Sequence, residues 1–284
     1  MKFLHPERDN LLELSLDDVF IVPTYFDGTS RMNVNLVPRD FAGSSNPVVA
    51  ANMNAVTGKR MAETMARYGG IGVLPQDMDL TTVERIVRHI KQANPIYDTP
   101  LTVTGDATLR DVQGIILKRA HDMVVVVDAN ENPMGIITHA DLREKDQYTP
   151  ASELMQTRLV TVKAGISNRD AFIEMEKERV KAAPVVNEDG EIVGVLTRDD
   201  AVRMELLSPS LNAKGELMVA AAVGISAQAG DQAASLIEMG VDVLVLDTAH
   251  GPPASRASPV TVTVIDVMFS AGHTASEYSM VNVS

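Results

Sequence analysis

The sequence predicts an α/β fold, a parallel sheet covered by helices and interrupted by a duplicated insert. Three observations carry this. Residues 217–251 read as strand, turn, helix and strand, the first 94 residues show the same alternation, and a repeat with an offset of 59 residues lies between them. Met218–Val223 is a short apolar run without a helical stripe, broken by Gly224. Ser226–Met239 then carries alanines and leucine at helical spacing until Gly240, which suits a left-handed helix cap. Val241–Leu246 is a second apolar run rich in β-branched residues. Strands apolar on both faces belong to parallel sheets with helices on either side. The unit ends in Asp247, Thr248, Ala249, His250 and Gly251, at the strand end where such folds place their chemistry.

In chain order, Leu14–Val22 is an apolar segment interrupted by Asp17 and Asp18, which read as a solvated turn or helix cap. Pro47–Ala51 is a buried strand ending in Asn52, Met53 and Asn54. From Thr57 to Tyr68, Met61, Ala62, Met65 and Ala66 form one apolar helical stripe, so both methionines are expected in the core. Gly69 and Gly70 stop this helix, and Ile71–Leu74 is the next strand. Thr81, Thr82, Val83 and Glu84 fit a capping box, opening a helix whose buried face is Val83, Ile86, Val87 and Ile90. Past Gly251, Val260, Val262 and Val264 alternate with threonines, which predicts a strand.

With 284 residues the chain has room for one large domain or two smaller ones. A run of about 18 apolar residues is absent, so no membrane span is expected. The start, MKFLHPERDN, carries no signal-peptide core and points to the cytoplasm. A net charge of −13 argues against a nucleic-acid partner, while leaving room for a local pocket that takes a small phosphate ester. The absence of cysteine excludes disulfides, thiolate metal sites and a cysteine nucleophile.

Pro95 and Pro100 bracket a break, and the insert runs from there to about Leu206. Gly135, Thr138 and Asp141 recur as Gly194, Thr197 and Asp200, and Asp111 recurs as Asp170. Such a duplication packs against its twin. In each copy two strands meet at a polar turn, and Gly-x-x-Thr-x-x-Asp leads into a helix. A Thr hydroxyl and Asp carboxylate there can grip a ribose diol and its phosphate, or can serve only as a helix cap. The repeat resembles a CBS (Bateman) pair over residues 95–206, with copies at 95–149 and 150–206. That resemblance implies adenine- or guanine-nucleotide binding between the copies, with Thr138, Asp141, Thr197 and Asp200 as ribose and phosphate contacts.

The flanking segments LSLDDVFIVP, PVVAANMNAVTGKRMAETMARYGGIGVLPQDM, VAAAVG and GVDVLVLDTAHG resemble the IMP dehydrogenase/GMP reductase family in wording, order and spacing. Ala51-Asn52-Met53 is similar to the GMP reductase branch, where an acidic residue follows; here Asn54 stands instead. The resemblance implies the first four strands of a TIM (β/α)8 barrel over residues 1–94 and 207–251, with the CBS pair inserted and residues 252–284 as a divergent tail. It implies a purine mononucleotide contacted by Asn52 and Met53, and NADP(H) against Asp247, Thr248 and Ala249. A monovalent cation and a tetramer-like homo-oligomer belong to the full-length family. In the family a cysteine adds to C2 of the purine; GMP reductase then expels ammonia and takes hydride from NADPH, whereas IMP dehydrogenase gives hydride to NAD. This chain has no cysteine, and the glycine-rich phosphate segments of the later strands are not found. The expectation is a C-terminally truncated, GMP reductase-like chain that is inactive alone.

Overall fold

The computed structural model describes residues 42–204, 206–224, 226 and 228–247, isolated positions 20, 25, 30 and 33–38, and the backbone of 263–266. The first part supplies β1 (Val49–Ala50), α1 (Lys59–Arg67), β2 (Ile71–Leu74) and α2 (Leu80–Gln92). The first copy of the repeat follows, as β3 (Thr102–Thr104), α3 (Leu109–Ile116), β4 (Met123–Val127), β5 (Pro133–Thr138) and a 3-10 turn at His139–Leu142. The second copy gives α4 (Ala151–Leu154), β6 (Val162–Lys163), α5 (Asn168–Lys177), β7 (Ala182–Val186), β8 (Ile192–Thr197) and α6 (Arg198–Arg203). The chain then returns through β9 (Ala220–Gly224), α7 (Ala229–Glu238), β10 (Val243–Asp247) and β11 (Thr263–Asp266). The segment 14–22, apart from Phe20, lies outside the described residues.

The main sheet has the order β1-β2-β9-β10-β11. Strands β1, β2, β9 and β10 are parallel, and β2 pairs directly with β9, so the insert leaves and returns between neighbouring strands. The four parallel strands stand where the sequence predicts them. The first, expected as a buried strand over Pro47–Ala51, is confined to Val49–Ala50 and only Ala50 is buried, because β1 has a neighbour on one side alone among the described residues. No barrel closure occurs among the described residues, and the strand predicted near Val264 pairs antiparallel to β10, Val243 opposite Asp266. Alternate residues of β9 enter opposite cores. Ala221 and Val223 join α1, α2 and α7 through Ala62, Ile90 and Leu236, while Ala220 and Ala222 pack with Ile71, Val73, Val243 and Val245. Both faces are therefore apolar, and the pattern lacks the polar alternation of a half-exposed strand.

Two helices correct the sequence reading in detail. Helix α2 is capped by Asp79, whose side chain accepts from the Thr82 amide, so it starts at Leu80 and the capping box at Thr81 does not form. Its buried face is Val83, Ile86, Val87 and Ile90, as predicted. On α1 the buried residues are Ala62, Glu63, Ala66 and Arg67, and Met61 is 40 % exposed. The stripe is rotated by one position because α1 lays its alanines against β2. A Cβ on Gly72 would meet the Ala62 Cα at 2.6 Å, so only glycine permits that approach. Gly69 and Gly240 both adopt positive φ, +83° and +96°, as their helix-ending places require.

Within the insert, β3-β4-β5 and β6-β7-β8 form two small sheets of matching topology, each with one parallel and one antiparallel pair. Each copy lends its leading segment to the other. Asp98 bridges to Val195 of β8, and Gln156 bridges to Ile136 of β5. Tyr97 accordingly packs among Val162, Met175 and Leu196 of the second copy. The repeated glycines mark these crossings: a Cβ on Gly194 would sit 2.3 Å from the Tyr97 Cβ, and one on Gly135 would sit 2.8 Å from the Gln156 carbonyl. Met123, Val125, Val127 and Val195 form the apolar seam between the copies.

Candidate functional site

Polar side chains gather at the C-terminal edge of the main sheet. Asn52 follows β1 and Asp247 ends β10, and the Asn52 amide donates to Asp247 Oδ2 at 2.5 Å. In a flat sheet three strand spacings, about 14 Å, would separate those strands. The sheet and the segments leaving it therefore curl toward one another. Beside them the Asn54 amide donates to Asp77 Oδ2 at 2.6 Å. An acidic residue at position 54 would set two carboxylates face to face, and the amide removes that repulsion. Gln76 lies across Gly224, where a Cβ would meet its Oε1 at 2.5 Å, so the glycine leaves the end of β9 open to that side chain. Met53 is 58 % exposed on the turn held by Thr57, whose hydroxyl donates to the Ala51 carbonyl at 2.6 Å. Thr248, Ala249 and His250 lie outside the described residues.

A second concavity, a cavity of about 1620 Å³, opens between α1 and the two copies of the repeat. Lys59, Arg60, Lys118, Lys181 and Arg203 converge on it. In a chain of net charge −13 this is a local reversal of sign that suits an anionic ligand. Thr138, Thr197 and Asp200 line it, and Asp141 does not. Each Thr–Asp pair first satisfies itself. Thr138 Oγ1 donates to Asp141 Oδ2 at 2.7 Å and Thr197 Oγ1 to Asp200 Oδ2 at 2.6 Å, while the Asp200 amide donates to Thr197 Oγ1 at 3.0 Å. Burial works to raise the Asp141 pKa, but donors from Thr138 and Gln156 outweigh it and hold the carboxyl below its ordinary value. The cap alternative is therefore realised at both pairs, and only the second pair turns a carboxylate to the cavity.

Sequence reasoning missed the charged junction behind this cavity. Glu63, fully buried on α1, accepts from Arg67 at 2.7 Å, Arg119 at 2.8 Å and the Thr99 hydroxyl at 2.6 Å, with His89 at 3.1 Å. Both arginines also donate to Asp98, at 2.9 and 3.0 Å. Desolvation opposes the Glu63 charge, yet the Arg119 hydrogen bond and the Arg67 charge lower its pKa from 4.5 to about 2. His121 is held neutral: burial dominates and lowers its pKa, and the Met123 amide donates to its Nδ1 at 3.2 Å. The signal was present as Glu63 and Arg67 at i,i+4 beside the small Ala62 and Ala66. Nearby, the Tyr68 hydroxyl donates to Asp200 Oδ1 at 3.0 Å under the Arg203 guanidinium, 4.3 Å from the ring centroid. Burial, then the Asp200 charge, push the Tyr68 pKa up to about 12.

Among the described residues no helix is long and apolar enough to cross a membrane, and no group of three or more His, Cys, Asp or Glu is placed to hold a metal ion. The sequence model of the IMP dehydrogenase / GMP reductase domain matches residues 13–275. GMP reductase of Mycobacterium tuberculosis (strain ATCC 25618 / H37Rv) is 40 % identical over 253 residues, 88 % of this chain and 52 % of that protein. Inosine-5'-monophosphate dehydrogenase of Nitrosopumilus maritimus is 32 % identical over 251 residues, 87 % of this chain and 53 % of that one. Among solved structures, GMP reductase from Trypanosoma brucei in complex with guanosine 5'-triphosphate superposes with a TM-score of 0.56 at 31 % identity, covering 86 % of this chain and 61 % of that one. A variant of the same enzyme with guanosine 5'-monophosphate gives a TM-score of 0.56 at 32 % identity, covering 87 % and 54 %. The chain spans about half the length of the curated relatives it matches.

Proposed function

The chain belongs to the IMP dehydrogenase/GMP reductase family, and from that premise we propose that it carries the nucleotide-recognition part of a GMP reductase: half of a TIM barrel with an inserted regulatory CBS pair. The observation that carries this is the meeting of Asn52 and Asp247 at the C-terminal edge of the parallel sheet. There Asn52 and Met53 would contact the purine nucleotide. The Asp247 carboxylate fits a dinucleotide ribose, because Asn52 occupies Oδ2 and, among the described residues, no donor reaches Oδ1. Bound there, NADP(H) supplies the hydride chemistry. Thr248 and Ala249 would lie against it. In the whole enzyme GMP is reduced to IMP with loss of ammonia.

This chain contributes binding and orientation only. Covalent addition at C2 needs a thiolate, and the chain has no cysteine. Following NADPH absorbance with GMP and purified protein is expected to show no steady oxidation, and a steady rate would overturn this reading. Binding is the positive test: calorimetry is expected to detect NADPH, with Asp247→Ala weakening it about tenfold or more. The IMP dehydrogenase alternative, IMP to XMP with NAD, is favoured only if NAD and IMP bind in preference to NADPH and GMP.

The insert, residues 95–206, is proposed as a purine-nucleotide sensor. The basic cavity supports this, and the Trypanosoma brucei relative is known with guanosine 5'-triphosphate. Thr138, Thr197 and Asp200 would take ribose and phosphate groups, with Asp141 fixing Thr138. Titrating GTP, ATP and AMP into the chain is expected to give heat for at least one, lost in Thr197→Ala/Asp200→Ala.

A further inference from the structure

We propose that Tyr68 is a displaceable plug of the Asp200 carboxylate, so that a nucleotide at the duplicated insert and the docking of helix α1 compete for one acceptor. This rests on the sensor reading above. Asp200 already accepts three hydrogen bonds: Thr197 Oγ1 at 2.6 Å on Oδ2, with the Tyr68 hydroxyl at 3.0 Å and Arg203 Nη1 at 2.9 Å on Oδ1. A carboxylate offers about four lone-pair positions, so a ribose diol with two donors finds only one free. One protein donor must leave. Thr197 is the cap of the helix that carries Asp200, and Arg203 sits three residues away on it. Tyr68 alone comes from outside the insert, 132 residues earlier in the chain, and its bond is the longest of the three.

Releasing Tyr68 has consequences on both sides. Arg203 stacks on the Tyr68 ring and faces the same cavity, so losing the ring frees a guanidinium for a phosphate. On the barrel side, Tyr68 caps α1, and its carbonyl accepts from the Asn46 amide at 2.5 Å. The neighbouring Gly69 carbonyl accepts from the amides of Ser45 and Asn46, both at 2.8 Å, just before β1. A ligand that displaces Tyr68 therefore loosens the clamp between the insert and the strand that leads to Asn52. By linkage, tighter docking of α1 must weaken the ligand by the same factor.

The test compares the full chain with Tyr68→Phe, which keeps the ring beneath Arg203 and removes only the competing hydroxyl. Tyr148→Phe, an exposed tyrosine of the insert, is the control. Calorimetry with GTP, ATP and AMP is expected to show about tenfold tighter binding of the preferred nucleotide to Tyr68→Phe, the worth of one hydrogen bond to a charged group, and no change in the control. Hydrogen exchange adds a second readout: amides 65–70 should exchange faster when the nucleotide binds the unaltered chain, and start fast in Tyr68→Phe. Binding detected only in Tyr68→Phe also supports the plug. Unchanged or weaker binding in Tyr68→Phe overturns the plug while leaving the sensor reading standing. No binding by either protein overturns the sensor reading, and the plug with it.

Discussion

Glu63 shows how a single side chain can couple two parts of a chain and stay hidden in the sequence. Its partners Arg119 and His89 lie 56 and 26 residues away, so nothing local marks its burial, and a Glu–Arg pair at i,i+4 ordinarily reads as a solvated helix face. Glu63→Gln leaves Arg67 and Arg119 buried against a neutral amide. We expect a loss of about 3–5 kcal/mol in urea unfolding, the range for breaking a buried ion pair from one side. The pH dependence follows from the same groups. Glu63 has its pKa lowered from 4.5 to about 2, so its contribution, roughly 3 kcal/mol, is complete above pH 4.5 and is lost as pH falls toward 2. His121 is also depressed, from 6.5, chiefly by burial against the opposing pull of Asp98. Its contribution is complete above pH 6.5 and drains away below it. Acid should therefore destabilise the protein in two stages. His121→Asn keeps an acceptor for the Met123 amide and should flatten the fall of the melting temperature that begins below pH 6.5. An unaltered slope in that variant would show that the first stage belongs to another group.

At the scale of elements, much was legible. The four parallel strands and the two hairpins of the insert follow from runs of β-branched residues bounded by polar turns, a local signal. The α2 cap was misplaced by two residues because Asp79 and Thr81 are both good caps, and the chain entering from β2 selects the first. The exchange of leading segments between the copies was not legible, since Tyr97-Asp98 and Met155-Gln156 share no residue types. Its trace was there all the same, in the glycines repeated at 135 and 194. Alanine at 194 must drive a Cβ to within 2.3 Å of the Cβ of the buried Tyr97, an atom fixed to the backbone, whereas at 135 one of the two nearest neighbours is the flexible Met155 thioether at 2.8 Å. Calorimetric unfolding is expected to show both Gly194→Ala and Gly135→Ala destabilised by about 1–3 kcal/mol, with position 194 the worse. Equal, negligible effects would mean that the copies can part without loss.

For the molecule as a whole, the decisive feature is a parallel sheet whose β1 edge has no partner strand among the described residues. Among the described residues no strand pairs with the outer side of β1, and Val48 and Val49 are 54 and 57 % exposed there. The inner face is meanwhile dry, with Ile71, Val73 and Val243 each less than 5 % exposed. Parallel strands that are apolar on both faces seek cover on both, and an edge strand flanked by two exposed valines is a template for strand addition. Which edge lies outermost depends on the β2–β9 neighbourhood, which only the folded chain displays. Sedimentation of the purified chain across tens of micromolar should accordingly reveal concentration-dependent association. Val49→Lys sets a charge on the exposed edge position and leaves the buried Ala50 in place, so it should favour the smallest species with an unchanged circular dichroism spectrum. Association that persists undiminished in Val49→Lys would move the contact away from β1.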